Sequence, residues 1–226
     1  MKTPAQPTLP LRALIAAALT LSLACVTFAA DTPKTTVIAC VGDSITFGAG
    51  VEKRDENNYP KVLGELLGKS FETKNFGRSG ATLLKQGDLP YWKTKEFENA
   101  SASNPDIVVI KLGTNDSKPQ NWQHKDQFVS DAKALVLHFR NLPSKPAVHV
   151  CLPVPVYETR WGINEPVVQS EVIPALQQVA KELNTPVIDL HTALANKPAL
   201  FPDKIHPNAA GAKLIAEAVA AALRKP

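Results

Sequence analysis

The sequence predicts one α/β domain built on a central parallel sheet, and three observations carry that expectation. Short apolar runs alternate with helix-like segments from about residue 35 to the end, the pattern of a sheet covered by crossover helices. One run, Asp106-Ile107-Val108-Val109-Ile110-Lys111-Leu112, is apolar nearly throughout, as a strand covered on both faces should be. The polar clusters follow the ends of apolar runs, where open parallel sheets bind their ligands.

The elements follow in order. Thr35 to Val41 is a first strand closed by Gly42. Tyr59-Pro60 opens a helix in which Val62, Leu63, Leu66 and Leu67 recur at helical spacing until Gly68. Phe71 to Phe76 is partly polar and reads as a second strand near a sheet edge; Asp106 to Leu112 is the third. Residues 125–140 place Phe128, Ala132, Leu135 and Phe139 on one helical stripe, stopped before Pro143. Ala147 to Leu152 and Pro186 to Leu190 are the fourth and fifth strands. Between them Val167 to Leu183 reads as a helix in which Pro174 forces a kink or a late start. The last helix is expected to begin at Pro207, with Leu214, Ile215, Ala218, Val219, Ala222 and Leu223 on one face. No repeat, low-complexity block or long linker divides the chain, so residues 31–226 form one expected domain.

Composition sets broad bounds. With 226 residues, 44% hydrophobic and 20% charged, the chain has room for one well-filled core. Without Lys2 and Arg12, 23 basic face 21 acidic side chains, a net charge of +2. That balance argues against nucleic acid or an anionic membrane surface as partner.

Residues 1–30 read as a secretory signal: Lys2 and Arg12 precede the apolar run Ala13 to Phe28, and Ala29-Ala30 ends it before Asp31. The expectation is an exported protein, periplasmic or secreted, with no stable membrane insertion after cleavage. An uncleaved anchor is disfavoured because a span needs roughly 20 apolar residues. Lipidation at Cys25 is a further alternative, although Ser22 stands where a lipoprotein site usually has Leu. Cys40 and Cys151 fall in the first and fourth strands. If the strand order is 2-1-3-4-5, one strand separates them by about two strand spacings, beyond disulfide reach, and two buried free thiols are expected.

Chemistry concentrates in four clusters. Gly42-Asp43-Ser44 follows the first strand, Gly77-Arg78-Ser79-Gly80 the second and Gly113-Thr114-Asn115-Asp116 the third; Asp203-Lys204-Ile205-His206-Pro207 lies beyond the fifth. They supply a hydroxyl nucleophile (Ser44), a base that is mostly neutral at pH 7 (His206) and a carboxylate to orient it (Asp203). Simpler readings exist for each. Ser44 could cap a helix, Gly80 could be a turn glycine, and Asn115 and Asp116 could be turn formers. Asp116 reads as structural and Asp43 as shaping its loop by hydrogen bonding. His191, ending the fifth strand after Asp189-Leu190, is a rival base, while His124, His138 and His149 read as surface or packing residues.

These residues resemble the GDSL, or SGNH, hydrolase family. Gly42-Asp43-Ser44-Ile45 matches its first motif with Ile45 for the eponymous Leu; Asn75-Phe76-Gly77-Arg78-Ser79-Gly80 looks like the second. Gly113-Thr114-Asn115-Asp116 matches the third and Asp203-x-x-His206-Pro207 the last, in the family's order. The resemblance implies a three-layer α/β/α, flavodoxin-like fold with a five-stranded parallel sheet of order 2-1-3-4-5. It also implies a serine esterase, a carboxylic ester hydrolase with Ser44, Asp203 and His206 as catalytic residues. The oxyanion hole would come from the N–H groups of Ser44 and Gly80 and the side-chain amide of Asn115. No metal-binding or phosphate-binding motif occurs, and no cofactor is expected.

For the substrate, the loops Leu84 to Thr94, Lys118 to His124 and Pro153 to Asn164 carry Trp92, Trp122, Tyr157 and Trp161, which could bind it or simply pack beneath their loops. The chain is similar to secreted bacterial members acting on acetylated carbohydrates, including sialate O-acetylesterase-like proteins. An acylated small molecule or glycan, acetylated above all, is the expected partner. A lysophospholipase or thioesterase, or a carbohydrate-binding protein without turnover, stays as an alternative, and the sequence carries no signal for oligomeric state.

Overall fold

A computed structural model describes residues 1–5 and 34–224, so the expected signal segment lies outside the described residues apart from its first five positions. Five parallel strands form the sheet: β1 (Thr36–Gly42), β2 (Phe71–Gly77), β3 (Ile107–Lys111), β4 (Ala147–Leu152) and β5 (Val187–Asp189). Their order is β2-β1-β3-β4-β5, as expected. The partly polar β2 lies at an edge, where its exposed positions meet water, and the apolar β1 and β3 lie inside.

Alternation along the strands splits the core into two layers. Ala39 and Val41, Val108 and Ile110, and Val148, Val150 and Leu152 face one side. Ile38 and Cys40, Val109 and Cys151 face the other. The first side is covered by Lys95–Ala102, Phe128–Arg140 and Ile173–Glu182, the second by Tyr59–Leu67 and Ala209–Leu223. This is a three-layer α/β/α architecture. Cys40 and Cys151 are buried free thiols, and β3 lies between their strands.

Several boundaries differ from expectation for identifiable reasons. The last helix begins at Ala209, not Pro207, because the Asn208 side chain accepts from the Gly211 N–H at 3.0 Å and caps it. Its buried stripe runs through Ala212, Ile215, Ala216, Val219 and Ala220, where small side chains let it approach Tyr59–Leu67 closely. The segment expected as one helix over Val167 to Leu183 is a turn at Glu165–Val167, a π-helical stretch at Val168–Val172 and an α-helix at Ile173–Glu182. Pro174 has no N–H to donate, and the wider turn accommodates the missing bond. β5 stops at Asp189, whose carboxylate caps a helical turn at Leu190–Ala193 by accepting from the Thr192 N–H at 2.9 Å. Among the described residues no helix is long and apolar enough to cross a membrane.

Candidate active site

The site lies beyond the carboxyl ends of β1, β2 and β3. β1 runs into a short helix, Ser44–Phe47, whose N-cap Asp43 accepts from the Ile45 N–H at 3.0 Å. The turn needs glycine at 42, since a Cβ there would stand 2.1 Å from Thr46 Oγ1 and 2.6 Å from the Lys111 carbonyl oxygen. Ser44 is thereby lifted onto the sheet edge, 8% exposed.

His206 reaches Ser44 from the far end of the chain. Its Nε2 lies 2.8 Å from Ser44 Oγ, and its Nδ1 lies 2.7 Å from Asp203 Oδ2. A carboxylate only accepts, so the network assigns the proton to Nδ1 and leaves Nε2 to accept from Ser44. Asp203 is held in turn: its Oδ1 accepts from the Ile205 N–H at 2.9 Å and the His206 N–H at 2.7 Å. That turn is closed by Lys204 in the left-handed region, φ +71°. Partial burial raises the Asp203 carboxyl, but the hydrogen bonds from the His206 backbone, its ring and Ile205 outweigh it and hold the group below its ordinary value.

Gly80 follows β2 with φ +84°, a conformation that favours glycine. Asn115 is 3% exposed and donates one amide hydrogen to the Ala81 carbonyl at 3.1 Å, which ties the turns after β2 and β3 together. Its amide has a second hydrogen. Asn121 Nδ2 donates to the Asn115 carbonyl at 2.8 Å and braces the same turn. Asp116 accepts from the Leu83 N–H at 3.0 Å and the Leu84 N–H at 2.8 Å. Complete burial pushes its carboxyl up to about 7 despite these bonds.

Of the four aromatic residues singled out in the loops, the structure brings one to the Ser44–His206 pair. Trp161 is 56% exposed, adopts φ +51°, and its ring centroid lies 5.7 Å from that of His206. The Arg160 guanidinium stands 4.7 Å from the Trp161 ring centroid. The other three rings are held by packing and hydrogen bonds with neighbouring segments. Trp92 Nε1 donates to the Leu83 carbonyl at 3.0 Å and its ring packs on Phe97. Trp122 packs edge-on against Phe128. Tyr157 packs on Phe201 and donates to the Leu194 carbonyl at 2.6 Å. Apolar rings on short loops are drawn under them by burial, which their sequence positions do not reveal.

His191 is also elsewhere, its Nε2 2.7 Å from Glu165 Oε1. His138 bonds Ser101 and packs on Phe97. Among the described residues no group of three or more His, Cys, Asp or Glu side chains is placed to hold a metal ion. One residue escaped the sequence reading. Lys111, at the end of β3, is fully buried and pairs with Asp43 at 3.0 Å. A single cation in an otherwise apolar central strand was its available signal.

Fold and motifs together define a three-layer α/β/α hydrolase-family scaffold, and the chain belongs to the GDSL-like lipase/acylhydrolase family, whose model matches residues 40–214. An acetylxylan esterase from Xylanibacter ruminicola is 40% identical over 205 residues, 83% of this chain. The chain spans 43% of that relative's length. In structure the chain is similar to an aryl esterase from M. smegmatis, with TM-score 0.69, 21% identity, and 84% of this chain and 99% of that one covered. It is likewise similar to a carbohydrate acetylesterase from Sinorhizobium meliloti, with TM-score 0.69, 18% identity, and 84% and 98% covered. These two likenesses bear on the fold.

Proposed function

We propose that this chain is a serine esterase that removes acetyl groups from carbohydrates, with Ser44 as nucleophile. The observation that carries the reading is the unbroken relay from Ser44 Oγ through the His206 ring to Asp203. In the reaction, His206 Nε2 takes the Ser44 hydroxyl proton as Oγ attacks the ester carbonyl carbon. Asp203 stabilises the resulting imidazolium. The tetrahedral oxyanion is received by the N–H groups of Ser44 and Gly80 and the Asn115 amide. Collapse breaks the bond to the alcohol oxygen, which leaves with the proton from Nε2. Water then repeats the sequence on the acyl-enzyme, releasing acetate and restoring Ser44.

The acyl and alcohol sides rest on two supports. The 40% identical relative is an acetylxylan esterase. The exposed Trp161 face beside His206, flanked by Arg160, offers a stacking surface of the kind a sugar ring fits. Export through residues 1–30 belongs to the same reading, since acetylated polysaccharides lie outside the cell. The test is acetate release from acetylated xylan, pectin and sialic acid by the protein and by Ser44→Ala. Acetate release by the protein and none by the variant is the expected result. Equal release by both overturns the mechanism, and a preference for decanoyl or longer esters overturns the acetyl reading.

A further inference from the structure

We infer that Lys111 is a positioning residue that sets the two turns carrying Ser44 and Asn115 in register with each other. The ammonium has three hydrogens, and the structure gives it three acceptors: Asp43 Oδ1 at 3.1 Å, Asp43 Oδ2 at 3.0 Å and Thr114 Oγ1 at 2.9 Å. Asp43 immediately precedes Ser44, and Thr114 immediately precedes Asn115. One buried cation therefore holds the neighbour of the nucleophile and the neighbour of the side-chain amide. The strand register makes this possible, because Lys111 pairs with Gly42 across β1 and β3, directly before Asp43.

A stability role alone is a poor explanation for this arrangement. Neither Lys111 nor Asp43 is exposed, and well-packed apolar residues commonly match or exceed a buried ion pair in stability. The chain keeps the pair where two turns must agree in position. Charge adds a second effect: the ammonium neutralises Asp43, whose carboxylate would otherwise oppose an oxyanion forming next to Ser44.

The inference rests on the esterase reading, so the experiment has one arm that needs no turnover. Thr114→Val cuts one leg and keeps the ion pair; Lys111→Met removes the cation; Asp43→Asn with Lys111→Met removes both charges. Rates on p-nitrophenyl acetate are measured per folded molecule, with folding followed by urea denaturation. The expected fall in kcat is on the order of 10-fold for Thr114→Val and 100-fold for Lys111→Met, with KM nearly unchanged. The double variant recovers part of the Lys111→Met loss. In the second arm, amide hydrogen exchange of Thr114→Val speeds up in residues 42–47 as well as 113–117 by more than the fall in global stability, read from the urea midpoint, accounts for. Unchanged kcat in both single variants overturns the inference, as does faster exchange confined to residues 113–117. An inactive parent protein overturns the esterase reading, and the exchange arm still decides whether Lys111 couples the turns.

Discussion

Ser44 Oγ and His206 Nε2 meet at 2.8 Å although 162 residues separate them in the chain. Two turns make the meeting possible. The Asp43-capped turn after β1 presents the hydroxyl, and the Asp203–His206 turn before the last helix presents the ring. Asn208 caps that helix two residues later, so the ring sits at a rigid junction and not on a free loop.

The Asp203 carboxylate holds Nδ1–H of the His206 ring at 2.7 Å, and an amide in its place would favour the opposite tautomer. Asp203→Asn should lower kcat on p-nitrophenyl acetate by about 10,000-fold. Steady-state kinetics with near-native circular dichroism checks this; a loss below tenfold contradicts the relay.

Asn115 spends one amide hydrogen on the Ala81 carbonyl, and its other hydrogen is the proposed oxyanion donor. Asn115→Ala should lower kcat on the order of 100- to 1000-fold with little change in KM. A rise in KM at constant kcat would place the residue in substrate binding instead.

Trp161 is exposed, so its removal should cost little stability. Trp161→Ala should raise KM for acetylated oligosaccharides by about 5-fold, the equivalent of about 1 kcal/mol of stacking. Turnover of p-nitrophenyl acetate should stay within about twofold, since the ring makes no bond in the relay. Equal effects on both substrates would contradict a sugar platform.

Asp116 provides a pH signature. Its folded-state carboxyl titrates at about 7 because of burial, against about 3.9 for an unfolded chain. The folded state thus binds the proton more tightly, and stability from this group is lost as pH rises from about 4 through 7. Asp116→Asn should lower absolute stability by about 1–3 kcal/mol, because one of the Leu83 and Leu84 N–H groups loses its acceptor. It should also flatten the decline in stability over that pH window. Urea denaturation at several pH values checks both; parallel curves for the two proteins contradict the assignment.

Burial pushes the Cys40 thiol up to about 12 and raises Cys151 as well. Iodoacetamide should leave both unmodified under native conditions and alkylate both in urea, read by peptide mass spectrometry.

Much of this arrangement was legible along the chain because parallel sheets write it locally. Buried strands are continuous apolar runs, and glycine with short polar residues marks where they end. Ser44, Gly80 and Asn115 stand in such clusters, and Asp203 and His206 in a short Asp-x-x-His-Pro motif before the last helix, so their types and spacing were readable. Lys111 was not, since a lysine closing an apolar strand looks the same whether it emerges into water or turns inward to Asp43. Trp92, Trp122 and Tyr157 were left between binding and packing for a related reason: aromatic content marks a loop as interesting without saying which way each ring points. The π-helical stretch before Pro174 was visible only as a conflict between helical periodicity and a missing N–H.

The strand and helix pattern, the family and the candidate reacting groups were all legible in the sequence, because these depend on local periodicity and short motifs. Tertiary structure decided which of those groups touch. It joined Ser44 to His206, sent His191 to Glu165, set the Trp161 ring beside His206 and buried Lys111 against Asp43. Contacts of that kind arise from strand order and side-chain direction, and each depends on residues far away in the chain.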